Sequence, residues 1–204
     1  MKILLLFACI SLVGFSIGCD SDNESATFGS NELLNSGFNT TLTSSQHLDA
    51  QSSPPWDVAY GLPWIGAGFG ADSTTHGYLY MWGSADDGTA VYETLSTPIK
   101  RGSTYRITCK IRFDHENTTP YTRVRFLAFN EFGTSIPWQA ISQKITPIAQ
   151  FTQSKIGVWD EFVSQEWTAD ADYTMLEIDC QNDVSGQGAE SWARIDDVML
   201  QEKQ

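Results

Sequence analysis

Aromatic side chains pose the first chemical question. Trp56, Tyr60, Trp64 and Phe69 fall in an aperiodic stretch, Gln46 to Thr75, that is otherwise rich in Gly, Pro and Ser. Tyr78, Tyr80 and Trp82 alternate, which puts all three on one face of a strand. Trp138 follows Pro137 in a loop. Flat aromatic faces stack on the C–H faces of pyranose rings while polar neighbours fix the hydroxyls. Trp56, Tyr60, Trp64, Tyr80, Trp82 and Trp138 are therefore candidate ligand-binding rings. The competing reading is burial, because alternating rings also build cores.

A second constellation is basic. Arg106, Lys110 and Arg112 share the outward face of one predicted strand, and Arg123 and Arg125 share one face of the next. If the two strands form a hairpin, the five cations line one patch. Arg112 and Arg125 are its candidate ligand contacts, suited to a carboxylated or sulfated glycan because a guanidinium grips such groups with two parallel bonds. A solvated sheet face paired with carboxylates is the alternative.

Catalytic patterns are weak. Glu93, Asp114, Glu116, Asp160, Glu161, Glu177 and Asp179 supply carboxylates, but nothing singles out the pair that glycoside hydrolysis needs. His47, His76 and His115 have no metal-ligand spacing, and no Gly-x-Ser-x-Gly elbow occurs. The Gly66–Gly70 run imitates a phosphate loop without the strand-to-helix setting. The balance favours a non-catalytic protein.

The 204 residues suit one β-sandwich domain, and the net charge of −13 disfavours nucleic acid, whose phosphates need clustered Lys and Arg. Lys2 followed by the apolar run Ile3–Ile17 reads as a signal peptide over residues 1–18. Ser16-Ile17-Gly18-Cys19 resembles a bacterial lipobox, which implies lipidation of Cys19 and anchoring to a membrane. The acidic run Asp20–Ser25 resembles the export tag of surface lipoproteins of Bacteroidetes. It implies the outer membrane, with inner-membrane retention as the alternative. Residues 19–31 read as a flexible tether and 32–204 as the folded domain.

No long helical period follows. Thr104–Phe113 alternates Tyr105, Ile107, Cys109, Ile111 and Phe113 on one face with polar residues on the other. Further strands are expected over Gly77–Trp82, Ala90–Ser96, Tyr121–Asn130, Glu161–Thr168, Tyr173–Gln181 and Ser191–Leu200, with a turn at Asp86-Asp87-Gly88. The short polar loop from Asp114 to Pro120 suggests a hairpin between Thr104–Phe113 and Tyr121–Asn130. Cys109 and Cys180 both face the expected core. They form either a disulfide, if their Cα atoms lie within about 7 Å, or two buried thiols.

Four blocks, taken in order, carry a resemblance: residues 32–39 (ELLNSGFN), 97–113 (TPIKRGSTYRITCKIRF), 158–179 (VWDEFVSQEWTADADYTMLEID) and 192–200 (WARIDDVML). Together they resemble carbohydrate-binding modules of the galactose-binding-like jelly-roll superfamily, especially the CenC-type group. The resemblance implies an all-β jelly-roll of two antiparallel sheets. It places Phe38, Tyr105, Trp159 and Trp167 in or beside the core, and Trp192 reads as core in the closing strand. It also implies a structural Ca²⁺ between the opening and closing blocks, here at Asn39 and Asp196. Asn39 stands where the family has Glu, so that ligand brings an oxygen without charge.

The expected protein is a lipid-anchored, non-catalytic binder of polysaccharide. Docking of a protein partner is the alternative, and a jelly-roll glycoside hydrolase or lyase stands behind it.

Overall fold

The alternation in β6 (Thr104–His115) organises the sandwich. Tyr105, Ile107, Cys109, Ile111 and Phe113 are buried, and the residues between them point away from the core. The computed structural model describes residues 26–34, 37–38, 56–60, 68–73, 76–83, 89–115, 122–130, 145–152, 155–182 and 191–204. These contain no helix.

Around β6 the chain builds a seven-stranded antiparallel sheet. Its other members are β1 (Phe28–Asn31), β3 (Gly68–Ser73), β4 (His76–Gly83), β9 (Trp159–Val163), β10 (Trp167–Thr168) and β12 (Ser191–Lys203). The path runs β10-β6-β12-β4-β3, with β9 also on β6 and β1 also on β12. The facing five-stranded sheet runs β2 (Trp56–Tyr60), β5 (Thr89–Ile99), β11 (Tyr173–Asn182), β7 (Thr122–Phe129) and β8 (Ala149–Thr152). Leu79, Met81, Ile195 and Leu200 from the first sheet meet Val91, Val124, Phe126, Leu176 and Ile178 from the second. Each such side chain contributes about 1.5–3 kcal/mol when fully buried.

Three local devices fix β6 and β12. Gly102, at φ 85°, closes the turn out of β5, in which Ser103 N–H donates to Lys100 O at 3.1 Å. A side chain at that position is disfavoured, which explains the glycine ahead of Tyr105. Tyr105 then accepts the Lys100 N–H on its hydroxyl at 3.0 Å. In β12 the register slips by one residue between Asp196 and Met199, and Asp197 takes φ 48° with its N–H bonded to Asp196 Oδ1 at 2.7 Å. Asp adopts this left-handed conformation more readily than most residues, and the Asp196 side chain holds the bulge by accepting the Asp197 N–H. Asn31 locks the far side: it donates to Val198 O and accepts from Leu33 N–H and Leu200 N–H.

The structure revises several expectations. β6 and β7 are no hairpin: β6 pairs with β9, β10 and β12, and β7 with β8 and β11. Each strand carries an apolar face, and the two faces bury each other across the sandwich instead of lying side by side. Glu161–Thr168 is split into β9 and β10, both paired to β6. Phe28–Asn31, expected in the tether, is a strand on β12, with Arg106 lying 3.7 Å over the Phe28 ring. The aperiodic stretch contains β2 and β3. Cys109 and Cys180 are free thiols, not a disulfide. They sit on opposite sheets, and burial pushes both thiols up from their ordinary range. The turn expected at 86–88 lies outside the described residues.

Glu93 is an acidic residue on the core face of β5, opposite Trp56 and Leu176 and fully buried. It accepts the Leu34 N–H at 2.9 Å and so ties the opening segment to the five-stranded sheet. Burial pushes its carboxyl from 4.5 up to about 7. The folded protein therefore holds this proton more tightly than the unfolded chain, and the associated stability is lost as pH rises from about 4.5 to about 7. Urea unfolding from pH 5 to 8 checks this. Glu93→Gln, which cannot ionise, is expected to gain up to roughly 3 kcal/mol on the wild type across that range. Parallel pH profiles would contradict the assignment.

Candidate functional site

Where core residues point inward on β4, β12, β6 and β9, their neighbours line the outer face of the seven-stranded sheet. Register sets them in rows. Tyr80 lies opposite Arg194, Arg194 opposite Arg112, and Arg112 opposite Trp159. Two residues along, Trp82 lies opposite Trp192, and Trp192 opposite Asp114. At strand spacings of about 4.8 Å the first row crosses roughly 14 Å, long enough for more than one sugar ring.

The side chains converge. Tyr80 and Trp192 stack with centroids 4.7 Å apart and planes 8° from parallel. Tyr78 and Trp159 lean towards each other over the intervening strands until their rings meet edge to face at 6.1 Å. The Arg194 guanidinium lies 4.9 Å from the Tyr78 ring centroid and 5.5 Å from that of Tyr80, and donates to the Tyr78 hydroxyl at 3.0 Å. One carboxylate serves two arginines: Asp114 Oδ1 accepts from Arg112 Nε at 2.7 Å, and its Oδ2 lies 2.5 Å from Arg194 Nε. Trp82 is only 7% exposed, so it backs this face instead of offering an open platform. The indole N–H groups of Trp82 and Trp192 are closed to solvent and find no acceptor among the described residues.

Rings beside arginines and a carboxylate, on one face of a β-sandwich, form an arrangement suited to polyhydroxylated ligands. No protein-family model matches the chain, and no curated protein matches it. Solved structures do. A candidate sugar-binding protein from Bacteroides thetaiotaomicron aligns over 85% of this chain and 100% of its own, at 10% identity and a TM-score of 0.50. A CBM22 xylan-binding domain from Paenibacillus barcinonensis aligns over 87% of this chain and 95% of its own, at 8% identity and a TM-score of 0.49. The first likeness establishes the shared fold, a jelly-roll sandwich of two antiparallel sheets.

The site gathers Tyr80, Trp82 and Arg112 of the residues expected from sequence and adds Tyr78, Trp159, Trp192 and Arg194. Trp159 and Trp192, expected in or beside the core, stand on the outer face, half-buried. The alternation Trp192, Arg194, Asp196 against Ala193 and Ile195 carried that signal. Trp56 moves the other way. At 1% exposure it is a core residue packed 5.3 Å from Phe38, because β2 turns it towards the opposite sheet. Tyr60 ends β2, its side chain outside what is described; Trp64 and Trp138 lie wholly outside the described residues.

The five-cation patch does not form. Arg106, Lys110 and Arg112 are on the seven-stranded sheet and Arg123 and Arg125 on the other, so Arg112 and Arg125 occupy opposite outer faces of the sandwich. On its face Arg125 is buried and clamps Asp179 through both carboxylate oxygens. Gln181 donates to the same carboxylate and accepts from Arg123. Glu177 is buried beside them, and Ala59, Ile145 and Met175 pack on Leu127 and Phe129 to form a second apolar cluster. This face is closed where the other is half-open.

Of the expected calcium ligands, Asp196 sits at the β12 bulge beside Asp197, which pairs with Lys110 at 2.7 Å. Asn39 lies outside the described residues, as does Cys19. Among the described residues no three His, Cys, Asp or Glu side chains converge as a metal would need.

Arg125→Met would leave Asp179 charged in a closed face. Breaking a buried pair from one side costs about 3–5 kcal/mol, so its urea midpoint should fall sharply, while Arg112→Met at the half-open face should lose about 1 kcal/mol or less. Equal losses would show that the two faces are equally open.

Proposed function

We propose that this protein binds polysaccharide without cleaving it, through the outer face of the seven-stranded sheet. The observation that carries the reading is the parallel-stacked Tyr80–Trp192 pair set beside Arg112, Arg194 and Asp114. The rings supply apolar planes for sugar faces, and the charged groups supply directional bonds to hydroxyls. The shared fold with a candidate sugar-binding protein supports the same reading. Lipidation at Cys19 would hold the domain at the bacterial outer membrane, close to polysaccharide outside the cell.

One observation favours docking of a protein partner as a second reading. Ile156, Val158 and Val163 are large, apolar and exposed on and just before β9, with Val163 63% exposed. Exposed apolar residues on an outlying strand are a common docking surface.

Affinity electrophoresis through gels containing polysaccharide separates the two readings. Retardation by at least one polymer is expected, with Tyr80→Ala and Trp192→Ala each weakening it about tenfold or more while the urea midpoint shows a folded protein. Retardation by none, or retardation untouched by either substitution, would remove this face from the function. Cys19→Ala is expected to move the protein from the membrane to the soluble fraction; unchanged fractionation would remove the lipid anchor.

A further inference from the structure

The cations on the outer face are unequally satisfied. Asp114 is shared between Arg112 and Arg194. Lys110, the next cation along β6, is engaged by Asp197. Arg112 uses only its Nε on Asp114, and its terminal nitrogens have no partner among the described residues. Its side chain is 30% exposed. Asp114 holds it at its Nε edge, which orients the guanidinium before any ligand arrives. These unused donors sit on a chain of net charge −13.

We infer that the glycan taken by this face is anionic, with a carboxylate or sulfate of the sugar received by the terminal nitrogens of Arg112 beside the Tyr80–Trp192 stack. The inference rests on the glycan-binding reading and names the ligand class of that same site. A planar guanidinium with two unused N–H-bearing nitrogens matches two oxygens of a carboxylate or sulfate, whereas a neutral hydroxyl uses one. The Arg194 charge, held in place by Asp114, Tyr78 and Tyr80, adds long-range attraction. Because the whole chain repels polyanions, binding of one would reflect this local site and not bulk charge.

The test uses the full chain in non-ionic detergent, run through gels containing neutral galactan, polygalacturonate or a sulfated galactan, at low and high NaCl. Retardation is expected from at least one charged polymer, and which of them retards decides between carboxylate and sulfate. Arg112→Gln should weaken it at least about tenfold, Arg112→Lys should retain part of it, and added salt should weaken the wild type more than Arg112→Gln. Circular dichroism and the urea midpoint confirm that both variants are folded. Retardation by neutral galactan alone, or by a charged polymer with Arg112→Gln unchanged, would overturn the anionic assignment and leave glycan binding standing. Retardation by none of these, nor by a wider neutral panel, would overturn the glycan reading and this inference together.

Discussion

The register between β12 and β6 is the constraint on which the outer face depends. With Arg194 opposite Arg112 and Trp192 opposite Asp114, Ala193 and Ile195 point into the core. A slip of one residue would drive Trp192 and Arg194 inward and turn Ile195 out, because side chains alternate faces with a period of two. The bulge at Asp196–Met199 and the Asn31 side chain hold that register from one end. The turn at Gly102 fixes the start of β6. Core packing and site assembly are therefore one event: the interactions that bury Ile195 also deliver Arg194 to Asp114.

The two outer faces of the sandwich use charge differently. On the five-stranded sheet, Arg125 pairs with Asp179 through both carboxylate oxygens and the pair is closed from solvent, which leaves little for a ligand. On the seven-stranded sheet, Arg112 and Arg194 share the half-buried Asp114 carboxylate beside aromatic rings. Matched and buried charge is costly to disturb. The terminal nitrogens of Arg112, partly hydrated beside apolar planes, keep capacity for a ligand.

Strand-level features were legible in the sequence wherever alternation was strict. Tyr78, Tyr80 and Trp82 do share a face, and Arg112 does point away from the core. What failed were inferences that needed a third dimension. A short loop after Asp114 suggested a hairpin, yet the chain crosses to the other sheet, which separates Arg112 from Arg125. The family resemblance put Trp159 in or beside the core and Trp192 read as core in the closing strand, although the neighbours of Trp192 in β12 already assigned it to the polar face. Trp56 lay in a stretch whose Gly, Pro and Ser hid a five-residue strand, so its inward direction could not be read. Cys109 and Cys180 both face inward, as expected, but from opposite sheets and as free thiols.

The most direct measurement is nitrogen-edited proton NMR of the tryptophan indole and arginine Nε signals during titration with a glycan fragment that retards the protein. If the outer face of the seven-stranded sheet is the site, the Trp192, Trp159, Trp82, Arg112 and Arg194 signals shift on titration, while the core Trp56 and the buried Arg125 stay in place. Movement confined to Arg125 and Arg123, with the Trp192 and Arg112 signals unchanged, would place the ligand on the five-stranded sheet and contradict the assignment.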